Sequence, residues 1–302
     1  MSLLTVGTVA FDTIITATAK AERVIGGAGS YSGWAASFFH TPVNLVSIIG
    51  EDFPQETIAE MEARGIQTEG LERVLGKKSF FWEGEYLADF SSRTTHATEL
   101  NVLADFDPQL PESYLSSEYV LLANLTPAIQ KSVLTQIGSS SKLTVLDTMN
   151  FWMDTALDEL LEVIGMVDVL TINDEEARQL SGKHSLMEAA TKILTMGPKY
   201  LIIKKGEHGA MLFSNDGIFS CPAIPLAKVE DPTGAGDCFA GAFLGYIAKQ
   251  QSTDFDTLKK AIVYGSVVAS YCVEEFSLDR LKSLEWSDVE ARYEMLVGMM
   301  TV

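Results

Sequence analysis

An α/β fold, with a mostly parallel sheet sandwiched by helices, is what this sequence predicts, and three observations carry the prediction. Short apolar runs alternate along the chain with helical patterns, and runs that are apolar throughout suit strands covered on both faces. Proline, glycine and cap residues punctuate the boundaries between them. The 302 residues are 47% hydrophobic, ample for a sizeable core. No repeat, low-complexity tract or long linker divides the chain, so one domain over residues 1–302 is expected.

The strand candidates, in order, are residues 3–10, 44–49, 119–125, 143–148, 168–173 and 200–205. Residues 55–64 read as a helix that Gly65 closes. Thr126 is a cap with Pro127 in the first turn, and Ser185 with Glu188 forms a capping-box pattern. Asn215, Asp216 and Gly217 lie between the apolar runs 210–213 and 218–221, which reads as a hairpin. Two stretches break the alternation: residues 13–18, short and β-branched, and residues 79–90, SFFWEGEYLADF, aromatic and β-prone with no helix after them. They read either as a small lid or as an ordinary edge hairpin.

Composition excludes some functions. With 22 Lys and Arg against 41 Asp and Glu, the net charge of −19 argues against nucleic acid or an anionic membrane as partner. It also opposes polyanions at long range, so local donors and a cation would have to offset the repulsion. Cys221, Cys238 and Cys272 show no metal-type spacing and read as reduced, mostly buried thiols of a cytoplasmic protein. The opening MSLLTVGTVAFD has no charged leader pattern, and no run reaches bilayer length, so neither export nor membrane insertion is expected. No P-loop motif occurs. Gly27-Ala28-Gly29 begins like a dinucleotide fingerprint, but Ser32 takes its third glycine position. His40, His96, His184 and His208 lack zincin spacing, and no Ser sits in a nucleophile elbow.

The segment 229–243, VEDPTGAGDCFAGAF, is the most informative in the chain. Gly234, Ala235 and Gly236 precede Asp237 at the start of a helix, predicted to be amphipathic with Phe239, Ala242, Phe243 and Tyr246 on one face. A helix start offers unpaired amides and the positive end of its dipole, which suits a phosphate. A carboxylate among those donors repels a resting anion. It makes sense as a general base beside a phosphoryl group in transit. The bland reading is a glycine-rich turn that only enters a helix.

This segment resembles the DTTGAGDxF signature of the ribokinase, or PfkB-type, carbohydrate and nucleoside kinases, with Pro232 in place of the usual Thr. The resemblance implies that Asp237 is the catalytic base and that Gly234, Ala235 and Gly236 form the anion hole. It implies ATP as co-substrate, Mg²⁺ as cofactor, and a primary hydroxyl of a sugar or nucleoside as acceptor. It also implies that the two odd stretches, over about residues 13–24 and 77–95, form a β lid over the sugar site. Such a lid would exclude water from the transferring phosphoryl. Its edge is a candidate homodimer contact.

Other positions match the same family. Asp12 falls where relatives bind acceptor hydroxyls, although a lone Asp after a strand also suits a turn. GGAGSYSGWAAS, residues 26–37, resembles the diglycine signature beside the substrate and puts Gly26, Gly27 and Tyr31 there, with Tyr31 in place of the usual Asn. Asn173 and Glu176 resemble the N-x-x-E motif that organises Mg²⁺, here through water, and equally fit a plain helix cap. Gly206 and Gly209 resemble the G-x-x-G beside the nucleotide, with Thr233 as a further nucleotide contact. Lys204 and Lys205 read as strand-end charges. Asp231 is a candidate ligand for a monovalent cation, although VEEFS, residues 273–277, departs from the usual sequence there. Tyr31, Phe11, Phe81, Trp82, Tyr86 and Phe90 are flat apolar surfaces that favour a nucleoside over a free monosaccharide as acceptor. A free-sugar kinase is the alternative, and a non-catalytic sensor that kept the fold is the alternative from another class.

Overall fold

The computed structural model describes residues 2–90 and 92–301. Met1, Ser91 and Val302, which fall within the expected domain and, for Ser91, the expected lid, lie outside the described residues. The chain begins with β1 (Leu3–Val6), β2 (Ala10–Ile15), β3 (Lys20–Gly26), α1 (Ala28–Ser37), β4 (Val43–Gly50), α2 (Gln55–Ala63), β5 (Ile66–Val74), β6 (Phe81–Tyr86) and β7 (Arg93–Glu99). It continues through β8 (Tyr119–Leu122), α3 (Pro127–Ile137), β9 (Leu143–Asp147), α4 (Asn150–Thr155), α5 (Leu157–Ile164), β10 (Val169–Asn173), α6 (Asp174–Ser181) and α7 (Leu186–Leu194). It closes with β11 (Tyr200–Lys204), β12 (Ala210–Ser214), β13 (Gly217–Cys221), α8 (Ala235–Gln250), α9 (Phe255–Cys272), α10 (Asp279–Ser283) and α11 (Trp286–Met300).

Nine strands form one sheet in the order β13-β12-β11-β10-β9-β8-β1-β4-β5. All neighbours from β11 to β5 are parallel, while β12 and β13 add an antiparallel edge. Side chains alternate between two cores. In β11, Ile202 joins the cluster under α1, α8, α9 and α11, whereas Leu201 and Ile203 join the one under α3, α5, α6 and α7. Both faces are therefore covered, which is why these strands are apolar at most positions and do not alternate.

Local signals resolve as follows. Thr126 Oγ1 accepts from the Ile129 amide with Pro127 at the helix start, and Gly65 takes φ 89 after α2. The 210–221 hairpin forms with Ser214 paired to Gly217. The capping box expected at Ser185 does not form: its side chain makes no cap bond, and both Ser185 and Glu188 are exposed, where first-turn amides need no protein partner. The strand expected over residues 3–10 stops at Val6, and residues 10–15 belong to a second sheet. The helix after Asp237 is not amphipathic. Residues 238–248 are all buried, because α8 runs between α1 and α9. A β-carbon at Gly241 would stand 2.1 Å from the Ser32 carbonyl oxygen, so the close crossing of α1 depends on that glycine.

The second sheet has the order β3-β2-β6-β7. It contains both stretches expected to form the lid and extends them, since β2 starts at Ala10 and β7 runs to Glu99. Asp52, just past β4, pins it to the body: its carboxylate accepts from the Ser79 amide at 2.7 Å and hydroxyl at 2.8 Å, and pairs with Arg23 of β3. Among the described residues no helix is long and apolar enough to cross a membrane.

Candidate active site

The carboxyl ends of parallel strands are where α/β sheets leave a crevice, because chain leaves the sheet there to start the covering helices. Asp147 ends β9, Asn173 ends β10 and Lys204 ends β11, so three polar residues reach that edge side by side. The start of α8 completes the group. Gly234 takes a left-handed conformation, φ 78 and ψ −3, as the N-cap, and a β-carbon there would stand 2.5 Å from the Tyr31 ring. Only glycine satisfies both demands. Gly234 has no side chain to cap this helix; the Ala235 amide is turned back to the Pro232 carbonyl at 3.3 Å, and the Asp237 amide bonds its own carboxyl.

Asp237 stands third in α8. Burial, then the Asp147 charge, lifts its carboxyl to about 7, against the pull of Lys204 and Arg93. Lys204 donates to Asp147 Oδ1 and Oδ2, each at 3.0 Å. Burial works against its charge, yet Asp147, Glu176 and Asp237 more than offset this and hold the ammonium above its ordinary range. Lys204 does end its strand as expected, but it points into the carboxylates and not into solvent. Arg93, at the start of β7, lends positive charge to Asp12, Glu176 and Asp237 from the second sheet.

Asn173 and Glu176 form a reciprocal capping box. The Glu176 amide donates to Asn173 Oδ1 at 2.8 Å, and the Asn173 amide donates to Glu176 Oε2 at 2.7 Å. Glu176 is nevertheless buried, and burial lifts its carboxyl to about 7 while Lys204 opposes the shift. Both readings of this pair thus keep a structural basis: the cap is made, and its carboxylate belongs to the charged group.

Asp12 reaches the site from β2. It lies so close to Gly26 that a β-carbon there would meet Asp12 Oδ2 at 1.9 Å, and the Gly27 amide bonds it. Burial and the Asp231 charge raise it to about 7. Asp231 accepts from the Thr233 amide through Oδ1 at 2.8 Å, while its Oδ2 is buried without a partner among the described residues. Burial raises it to about 6. Its backbone and that of Glu230 bond the Val273 carbonyl, which ties this turn to the segment where the sequence departs from its family.

Some expected contacts have other duties. Tyr31 is buried, its ring supports Gly234, and its hydroxyl has no partner among the described residues. Phe11 packs on Phe53 beneath Arg23, and Tyr86 is buried with its hydroxyl bonded to Thr233. These three aromatics are packing, so only Phe81, Trp82 and Phe90 retain partly exposed faces for stacking. Gly209 is a turn residue whose β-carbon would collide with the Cys221 carbonyl at 2.0 Å, whereas Gly206 has open space beside it. All three cysteines are buried and free.

Asp147, Lys204 and Arg93 were not among the expected site residues. Asp147 had a legible signal, an acid ending an apolar strand at the edge shared with Asn173. Arg93 lay inside an expected lid segment, but nothing in sequence says which lid side chain faces inward.

A buried carboxyl at a glycine-bounded helix start, beside a separate four-stranded sheet, fits a phosphotransferase that acts on hydroxyl groups. The chain belongs to the pfkB family of carbohydrate kinases, whose sequence pattern matches residues 3–283. It is similar to the cytidine kinase of Thermococcus kodakarensis, 28% identical over 254 residues that span 82% of this chain and 88% of that one. The Burkholderia thailandensis nucleoside kinase in complex with inosine superposes with a TM-score of 0.80 at 20% identity, covering 99% of this chain and 97% of that one. A putative ribokinase II from E. coli in complex with ATP and Mg²⁺ superposes with a TM-score of 0.80 at 18% identity, covering 97% of this chain and 99% of that one. These two likenesses show the ribokinase-type fold.

Proposed function

We propose that the protein transfers the γ-phosphoryl group of ATP to a primary hydroxyl of a ribonucleoside. One observation carries the chemistry: Asp237, a carboxyl raised to about 7, stands at an uncapped helix start behind a left-handed glycine. At neutral pH a substantial fraction is ionised and able to take the acceptor's proton as the new P–O bond forms. The Gly234 and Gly236 amides and the helix dipole hold charge on the phosphoryl in flight, and Gly234 lets the backbone make that approach. Asp12 accepts hydrogen bonds from acceptor hydroxyls. The open side of Gly206, with Thr233, receives the nucleotide.

Among the described residues no group of three or more His, Cys, Asp or Glu could hold a metal ion directly. A hard carboxylate at Glu176 does fit Mg²⁺, which keeps most of its water and binds through one or two carboxylates and phosphates. When bound, that ion neutralises charge across the β- and γ-phosphates. The orphaned Oδ2 of Asp231 is a donor suited to a monovalent cation. The nucleoside acceptor is supported by the cytidine kinase and nucleoside kinase likenesses together with the exposed faces of Phe81 and Trp82. Residues 1–302 act as one domain with the second sheet as its lid, whose outer strands β3 and β7 offer edges for a homodimer. The acidic composition and free thiols suit a cytoplasmic enzyme of small molecules.

The test is transfer of labelled phosphate from ATP with Mg²⁺ to cytidine, adenosine, inosine, ribose and fructose. A nucleoside 5′-phosphate is the expected product. Transfer to a free sugar alone overturns the nucleoside acceptor, and nucleotide binding without transfer to any acceptor overturns catalysis.

A further inference from the structure

Lys204 is placed in a way that a strand-end charge does not require. Its side chain is only 18% exposed, and two of its three N–H donors are spent on the two oxygens of Asp147. That bidentate hold fixes the ammonium in one place. A β-carbon at Gly236 would lie 3.0 Å from Nζ, so the charge sits directly against the helix start. Burying an ion pair is costly, and a pair kept only for packing needs one acid. Here Glu176 and Asp237 also lie within reach of the same ammonium.

We propose that Lys204 contacts the phosphoryl group during transfer: Asp147 holds the ammonium beside Gly236, and the third N–H donates to a phosphate oxygen. This rests on the reading of Asp237 and the glycine turn given above. Lysine makes and breaks no covalent bond in the step. The bond from the γ-phosphorus to the ADP oxygen breaks, the bond to the acceptor oxygen forms, the acceptor's proton passes to Asp237, and Lys204 stays protonated throughout. A point charge at that place complements amide donors, which carry only partial charges. It also accounts for Asp147, which serves as a tether and not as a base.

The rival explanation is that Lys204 only neutralises Asp147, and a double variant separates the two. Turnover and KM are measured for wild type, Lys204→Met and Asp147→Asn/Lys204→Met, with binding of ATP, a non-hydrolysable ATP analogue and AMP by calorimetry. Lys204→Met is expected to lower kcat by about 100-fold with the acceptor KM within about threefold, and the double variant is expected to stay as slow. The analogue should bind about tenfold more weakly to both variants, while AMP, which lacks the terminal phosphates, binds as to wild type. Recovery of kcat in the double variant to near the wild-type value overturns the proposal, as does unchanged binding of the analogue. Should Lys204→Met fail to fold, the uncharged double variant and its binding data decide. If wild type phosphorylates no acceptor, the kinase reading fails, and calorimetry still judges Lys204.

Discussion

The Thr233 hydroxyl donates to Tyr86 Oη at 3.0 Å, joining the glycine turn before α8 to the last residue of β6. The two residues are 147 positions apart in sequence, and this bond ties the second sheet to the turn that starts the helix. Arg93, paired across the hairpin with Tyr86, lies beside the same hydroxyl. One hydrogen bond and the charge of Arg93 therefore link the second sheet to the turn that carries Asp237.

Tyr86→Phe removes that bond while keeping the ring. A net cost of about 1 kcal/mol is expected, the usual value for one hydrogen bond, visible as a slightly lower Tm. A lid less firmly held should raise the acceptor KM several-fold and increase phosphate release to water relative to transfer. Unchanged partition between hydrolysis and transfer would show that the bond does not hold the lid.

The carboxyl groups of Asp12, Glu176 and Asp237 each rise to about 7 from ordinary values near 4. A raised carboxyl binds its proton more tightly in the folded state, so its stabilising effect is complete below the unfolded pKa and is lost as pH climbs through the folded one. Stability should therefore fall between about pH 4 and pH 7, while kcat rises over the upper part of that window as Asp237 ionises. Asp237→Asn should lower kcat by roughly two orders of magnitude, keep nucleotide affinity, and gain stability over wild type as pH increases. A pH-independent difference in Tm between the two proteins would contradict the placement of this carboxyl, and near-normal turnover would contradict its role as base.

Glu176 is both cap and candidate Mg²⁺ partner, and an alanine would remove both functions at once. Glu176→Gln is the cleaner probe, since an amide oxygen still accepts from the Asn173 amide. Stability should stay within about 0.5 kcal/mol of wild type below about pH 4, where the carboxyl is protonated, and exceed it as pH climbs toward 7, while the Mg²⁺ concentration for half-maximal rate rises several-fold. An unaltered Mg²⁺ response would leave Glu176 as a cap alone.

The sheet was legible because burial on both faces keeps runs such as residues 200–203 apolar without alternation, a pattern that half-exposed strands do not share. Asp237 was legible because one short segment holds both the helix start and the carboxyl. Lys204 and Arg93 were not, since their meaning depends on which strand ends stand side by side and which lid face turns inward. Such relations arise only from topology. The expected amphipathic face of α8 failed for a related reason: Gly241 and Gly245 announced close helix crossings, but sequence did not say that two helices would cover it.

Tyr31 is where sequence and structure differ most in consequence. Read as a substrate contact, it stands buried under Gly234 with its hydroxyl unpaired among the described residues. A buried hydroxyl without a partner is a cost to the fold, so Tyr31→Phe should leave Tm unchanged or raise it, by up to about 1–2 kcal/mol in stability. The ring remains to support the turn, so kcat and the acceptor KM should stay within twofold of wild type. Tyr31→Ala, by contrast, empties the space beneath Gly234 and should cost about 3 kcal/mol or more along with most activity. Thermal melts and steady-state kinetics on both variants check this. A large rise in acceptor KM for Tyr31→Phe at unchanged Tm would return the hydroxyl to the acceptor and restore Tyr31 as a binding residue.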